Sequence, residues 1–335
     1  IKKLFNLPEN PIWFMRQAGR YMEEYNLIKK KFNSFFDMCR NVDAVTDITM
    51  LPIKKFNYDA GIIFSDILII LETLNIKVEF IPNKGPIVYN ENLLRTFQTA
   101  PNNIDYEKLE PVYKSIKSVK QVIKSYNKPL IGFSGAPWTV AAYLVEGSIT
   151  KDLSVVREFA YKKPLLMSKI INILTDIIIE HLSFQIKSGA DLVQIFDTHS
   201  NVLDFLSMKE YSINPIKKIC KDLKKRHPKT PISYFSKNIN YDLDDFFDYV
   251  DVVSFNSSVR MKNYVKTLPD KIVFQGNLDP IKLLVGGNKM EEAILNIMND
   301  MKQKNFIFNL GHGILPQTPI DNVERCIEVV KNFKG

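Results

Sequence analysis

Largely apolar runs recur along this chain, each followed by small, polar or ionisable residues and then by an amphipathic stretch. This beat restricts the fold more than any other feature of the sequence. The runs lie at 60–65, 130–134, 192–196, 232–235, 252–255, 272–275 and 306–310. A strand that reads as continuously apolar, with no alternation, is buried on both faces, as in a parallel sheet covered by helices. Helical patterns fall between the runs, at 106–125, 164–188, 209–226 and 290–304. Pro164 fits a first helical turn, where its missing N–H costs nothing. Strand alternating with helix predicts an α/β protein on a parallel sheet, either open and doubly wound or closed into a barrel. Seven strands are legible, so a closed barrel requires an irregular eighth segment.

The residues just past each run favour the barrel. They are Ser65-Asp66, Gly135-Ala136-Pro137, Asp197-Thr198-His199, Ser236-Lys237, Asn256-Ser257-Ser258, Gly276-Asn277-Leu278-Asp279 and Gly311-His312-Gly313. Barrel enzymes assemble their sites on that rim, from several strand ends at once. Helix capping accounts for some of the Ser, Asp and Asn, but it explains neither Gly-His-Gly nor Asp-Thr-His.

Other classes are disfavoured. The most apolar stretch, 170–179, is broken by Asn172, Thr175 and Asp176, so nothing reads as a span of about eighteen apolar residues. The net charge of +8 is spread over scattered lysines without the aromatic-interleaved stripe of a nucleic-acid surface, so no nucleic-acid partner is expected. Cys39, Cys220 and Cys326 are far apart and form no Cys-x-x-Cys pair. Neither a disulfide framework nor a cysteine zinc site is expected, and a reducing compartment follows.

The most informative local motif is Pro11-Ile12-Trp13-Phe14-Met15-Arg16-Gln17-Ala18-Gly19-Arg20-Tyr21. On a helical turn, Arg16 and Arg20 would point to one side. Two guanidiniums so placed would grip a molecule with several carboxylates through paired hydrogen bonds. Ala18 and Gly19 would let the backbone approach that ligand.

That motif is the first of five blocks, in order, that resemble the uroporphyrinogen decarboxylase family. The others are Ile63-Phe64-Ser65-Asp66-Ile67-Leu68, Gly132-Phe133-Ser134-Gly135-Ala136-Pro137-Trp138-Thr139 (extended by Tyr143 and Val145-Glu146-Gly147), Phe274-Gln275-Gly276-Asn277-Leu278-Asp279-Pro280, and Asn309-Leu310-Gly311-His312-Gly313. The resemblance covers essentially residues 1–335 and implies one domain, a distorted (β/α)8 TIM barrel, and a homodimer. It implies removal of carboxyl from the four acetates of uroporphyrinogen III to give coproporphyrinogen III, without metal or organic cofactor. It also implies roles. Asp66 and Arg16 would be catalytic, with Asp66 facing the pyrrole N–H groups. Arg16, Gln17, Ala18, Gly19, Arg20, Asp66, Tyr143, Thr198 and His312 would bind the tetrapyrrole. Neighbouring arginines should keep Asp66 ionised. His312 either hydrogen-bonds a propionate, the reading preferred here, or serves as a proton donor, since imidazole titrates near the working pH.

The sequence departs from the family at Met22-Glu23-Glu24-Tyr25, at Lys29, where arginine is common, and at Ser200-Asn201 in place of a small Ala-Gly turn. Two competing readings remain. A thiol or corrinoid methyltransferase on this fold needs a zinc held by His and Cys, a cluster the sequence lacks. A porphyrin carrier would bind the ring and release no CO2. The Asn, Lys and Ile bias and the absent initiator methionine suggest a plastid-type organelle, with the cytoplasm as alternative.

Overall fold

The computed structural model describes residues 5–81, 84–91, 93, 97, 104–237 and 246–334. Seven parallel strands run in chain order: β1 (Gly61–Ile62), β4 (Leu130–Gly135), β5 (Leu192–Asp197), β6 (Ile232–Ser236), β7 (Val252–Phe255), β8 (Val273–Leu278) and β9 (Phe306–Leu310). Two further strands, β2 (Val78–Ile81) and β3 (Gly85–Val88), form a separate antiparallel hairpin after β1. The sequence-predicted strands match closely except the first. There the ladder shortens because the amide of Phe64 donates to Thr49 Oγ1 at 3.0 Å instead of to β4.

The eighth stave is the segment of the arginine motif itself. Ile12 bridges Phe308 in parallel. Phe308 N donates to Pro11 O at 2.8 Å, and Trp13 N to Phe308 O at 3.3 Å. On the other side Asp59 N donates to Ile12 O at 2.9 Å, while Ile12 N donates to the Asp59 carboxylate at 2.9 Å. Residues 11–15 thus join β9 to the approach of β1 and close the barrel. The expectation of a helical turn here is not met. The chain is extended, then turns, and the first helix begins only at Glu23 (Glu23–Lys29).

Alternation across each strand sorts the core into two parts. Outward residues pack against the surrounding helices, with Val193, Val253, Phe274 and Phe308 among them. Inward residues Trp13, Met15, Ala60, Ile62, Ile131, Leu192, Phe235, Val252, Val273 and Ile307 fill the barrel. A polar belt crosses this interior. Gln275 Oε1 accepts from Trp13 Nε1 at 3.0 Å, and Gln194 Oε1 accepts from Ser233 Oγ at 2.7 Å and from Gln275 Nε2 at 3.3 Å. Polar groups buried this deeply are tolerated because they satisfy one another. The helices follow the sequence pattern. Pro164–Lys187 starts on the expected proline, and Asn214–Arg226 is preceded by a π-turn over Lys209–Ile213.

Candidate active site

The carboxyl end of the barrel opens over an aromatic floor. Phe133 and Phe196 sit with ring centroids 5.7 Å apart, Phe196 and Phe235 6.1 Å apart, and Phe235 meets the His312 ring at 6.1 Å. All three phenylalanines are on inward positions of β4, β5 and β6. Above them gather Arg16, Asp66, Tyr143, His199, Lys237 and His312, whose charges act on one another.

Arg16 follows directly on the closing stave. Its φ of 61° is the left-handed conformation that a residue with a side chain rarely adopts. Surrounding contacts impose it. Asn309 Oδ1 accepts from Met15 N at 3.0 Å, Ile314 N donates to Met15 O at 3.0 Å, and Gln17 N donates to Phe14 O at 2.9 Å. Gln17 is fully buried, and its amide is engaged with Phe14 N at 3.4 Å and Ala60 O at 3.1 Å. Gln17 therefore faces away from the mouth and locks the turn that presents Arg16. The glycines around His312 have separate reasons. A Cβ on Gly311 would strike the backbone of Ser257, and one on Gly313 would strike the Arg16 side chain. The Gly-His-Gly spacing thus admits Arg16 beside His312.

Asp66 lies past the short β1, half-buried in the mouth, with Oδ1 accepting from Leu68 N at 2.8 Å. Burial pushes its carboxyl up to about 6, against the pull of the Leu68 amide and Arg16. Arg16 favours the ionised form, as expected, but desolvation outweighs it, so Asp66 is ionised at neutral pH by a narrow margin. For His312 the proton-donor alternative is weakened and the hydrogen-bonding reading is left standing. Burial first, then Arg16, Lys237 and His199, hold it down at about 4. At neutral pH it is an uncharged imidazole, not a group poised to titrate.

The structure brings Arg16, Asp66, Tyr143 and His312 together. Burial raises the Tyr143 phenol, and Asp66 and Arg16 act on it next. Thr198 is half-buried on the same rim, next to His199. Arg20 is exposed, as is Arg16, and its charge acts on Tyr25. Ala18 packs against the core, and Gly19 O accepts from Met22 N at 3.0 Å to close the turn. Lys29 is exposed on the last turn of the first helix.

Two functional candidates went unselected in the sequence. His199 stacks edge-on against Tyr143 at 5.3 Å, and its buried Nε2 has no hydrogen-bond partner among the described residues. Burial and Lys237 hold it down at about 4. Lys237 follows β6 in the inward register of Ser233 and Phe235. That parity was readable, because residues 233, 235 and 237 must share a face.

A basic mouth on an aromatic floor, with one under-bonded carboxylate, at the carboxyl end of a parallel α/β barrel, is the site of a barrel enzyme acting on an anionic, partly flat molecule. The chain belongs to the uroporphyrinogen decarboxylase family: the description of that family, "Uroporphyrinogen decarboxylase (URO-D)", matches residues 6–333. Similar proteins include a uroporphyrinogen decarboxylase of Rickettsia africae (strain ESF-5), 42% identical over 326 residues, covering 97% of this chain and 93% of the relative. One of Rickettsia bellii (strain RML369-C) is 39% identical over 336 residues, covering 100% and 97%. Among solved structures, a methyltransferase from Methanosarcina mazei superposes with a TM-score of 0.79 at 18% identity, covering 99% of this chain and 97% of that one. That likeness establishes the fold alone. Among the described residues no group of three or more His, Cys, Asp or Glu is placed to hold a metal.

Proposed function

We infer that the chain uses this mouth for the decarboxylation its family name denotes: the acetates of uroporphyrinogen III become methyls, giving coproporphyrinogen III. The observation that carries the assignment is Asp66, a half-buried carboxylate at the cation-lined mouth. Among the described residues its carboxylate accepts one hydrogen bond, from Leu68 N, and so has lone pairs to spare. The ring offers inward N–H donors, and an ionised carboxylate can accept several. Arg16 takes peripheral carboxylates, each charge-assisted hydrogen bond contributing about 1.5–3 kcal/mol. Neutral His312 and His199 donate hydrogen bonds to the acid side chains, with Tyr143 and Thr198 beside them.

Loss of CO2 from an acetate leaves a carbanion-like carbon, which needs an electron sink. A pyrrole protonated at a ring carbon is such a sink, and it is cationic. Asp66 stabilises it. At about 4 Å and an effective dielectric near 20, one charge pair contributes about 4 kcal/mol, fixed in place before the reaction. On this reading no metal or organic cofactor takes part.

Anaerobic incubation with uroporphyrinogen III in chelator-treated buffer, followed by chromatography, tests this. Stepwise loss of four carboxyls is expected. Tight binding without CO2 release would identify a carrier instead.

The assembly we propose is a homodimer. Leu165, Phe205 and Leu206 are 88%, 65% and 73% exposed. Tyr161 joins their two segments by donating to Asp204 at 2.6 Å. Sedimentation of Leu206→Glu tests whether that face pairs. No helix among the described residues is long and apolar enough to cross a membrane. A reducing compartment suits the three buried free thiols, and the relatives that match are bacterial and lend no support to a plastid.

A further inference from the structure

We propose that Lys237 is the proton donor of the reaction, delivering a proton from its ammonium to the carbon that loses CO2. The assignment rests on the decarboxylation described above, which consumes one proton for each acetate converted to methyl. The C–C bond to the carboxylate breaks, its electron pair passes into the protonated pyrrole, and CO2 departs. A proton from Nζ then adds to the exocyclic carbon, the new C–H bond taking its electron pair from the ring, and the proton that water lent to the ring carbon returns to water, which restores the neutral pyrrole. The neutral amine left behind is reprotonated from water.

Position is the first reason. Lys237 directly follows β6, whose inward residues are Ser233, bonded to Gln194 in the barrel interior, and Phe235, part of the aromatic floor. Residue 237 continues that parity and rises from the floor into the mouth. The groups facing it come from three other strand ends: Arg16 after the closing stave, His199 after β5 and His312 after β9. A flat ring lying on Phe133, Phe196 and Phe235 would bring its edge to Lys237, with Asp66 facing the ring centre.

Chemistry is the second reason. Arginine is a poor proton donor as a residue type, since a guanidinium holds its proton with a pKa above about 12. His199 and His312 are neutral near pH 7 because burial holds both at about 4. They are poor acids in that state. The Tyr143 phenol is pushed up by burial and is weaker still. Lys237 is a cation that burial and Arg16 together bring down from the ordinary lysine value. Among these groups it is the cation whose hold on its proton the surroundings weaken.

Steady-state kinetics on Lys237→Arg and Lys237→Ala would test this. A donor predicts kcat lowered by about 10²-fold or more in both variants, the loss expected on removing a general acid. KM for uroporphyrinogen III should change little, and added ethylamine should restore Lys237→Ala in proportion to its concentration. Arginine keeps the charge, so Lys237→Arg within about fivefold of wild-type kcat, or a loss confined to KM, overturns the assignment. Wild-type turnover measured alongside separates the two readings. Turnover with indifferent variants removes only the lysine's role, whereas no wild-type turnover removes the reaction and the donor together.

Discussion

Asp66 and Asp197 both follow or end barrel strands, and burial raises the carboxyl of each. Their surroundings differ. Asp197 points out of the barrel and is fully buried. It accepts from Thr139 Oγ1 at 2.8 Å, Tyr234 OH at 3.2 Å and the Ser212 hydroxyl. Thr139 in turn accepts from His199 N at 3.2 Å, and Trp138 Nε1 donates to His199 O at 3.0 Å. That carboxylate ties the loop bearing Thr198 and His199 to the helix Pro137–Glu146, which carries Tyr143. Asp66 points inward, and among the described residues its carboxylate accepts one bond. A buried carboxylate ringed by donors stabilises the fold, whereas one left short of donors is available to a ligand. The same residue type and the same direction of pKa shift thus serve opposite ends.

The sharpest way to break this contrast is Asp66→Asn. Activity should fall by about 10²–10³-fold, the range for removing one preorganised electrostatic contact to the transition state. Stability at pH 7 should rise at the same time. The folded pKa of Asp66 lies above its ordinary value, so its contribution is whole below about 3.8 and is lost as pH rises through about 6. Above that range the ionised group destabilises the fold, by about 1–2 kcal/mol once partial solvation is allowed for. A variant that loses both activity and thermal midpoint would make Asp66 a structural residue like Asp197.

Gly313→Ala probes the neighbour of Asp66 without touching a charge. The new methyl would strike the Arg16 side chain, already held at a φ of 61°. Displacing a positioning group by about 1 Å can lower the rate about 10²-fold. We expect a loss near that size in kcat/KM with a melting temperature changed by only a few degrees. Unaltered kcat/KM would show that Arg16 has room to move and that the glycine serves the backbone alone.

Asp197→Ala tests the other side of the comparison. It removes the acceptor of the Thr139 and Ser212 hydroxyls, each at a cost of about 1–3 kcal/mol if left unpaired. Water entering the gap relieves part of this, so a denaturation midpoint lowered by about 2–3 kcal/mol equivalent is expected. The folded fraction should retain most of its kcat. A stable variant with kcat reduced as far as in Asp66→Asn would place Asp197 in the chemistry.

The two aspartates also show how much was legible in the sequence. Strands β4 to β9 of the sheet were readable because burial on both faces leaves an apolar run with no competing pattern. The closing stave was not. Its sheet bonding is a single bridge, Ile12 to Phe308, and its other amide goes to the Asp59 side chain. The arginine spacing also mimicked a helical turn. The hairpin β2–β3 escaped notice because all four residues of β2 are only half-buried, so no periodicity marks it. Arg16, Asp66, Tyr143 and His312 were found through family resemblance and do converge. Gln17 was misread because the motif shows adjacency, not direction: its neighbour Arg16 faces the mouth while Gln17 bonds to Ala60 O. Charge states were the least legible. No sequence pattern reports that desolvation outweighs Arg16 at Asp66, or that His312 and His199 sit near 4.

That last difference supplies a test needing no substitution. If Asp66 must be ionised to meet the ring, kcat/KM for uroporphyrinogen III should rise with pH and level off above about 6, because this ratio reports groups of the free enzyme. Below that point it should fall about tenfold per pH unit, since only the ionised fraction binds productively. Asp197, screened from the mouth, contributes no limb. His312 and His199 would place a limb near 4, two units lower, so the position of the bend tells the carboxylate from the imidazoles. In Asp66→Asn the bend near 6 should vanish while any feature near 4 remains. A bend that survives the substitution would assign the ionisation to another group and leave Asp66 without its distinguishing role.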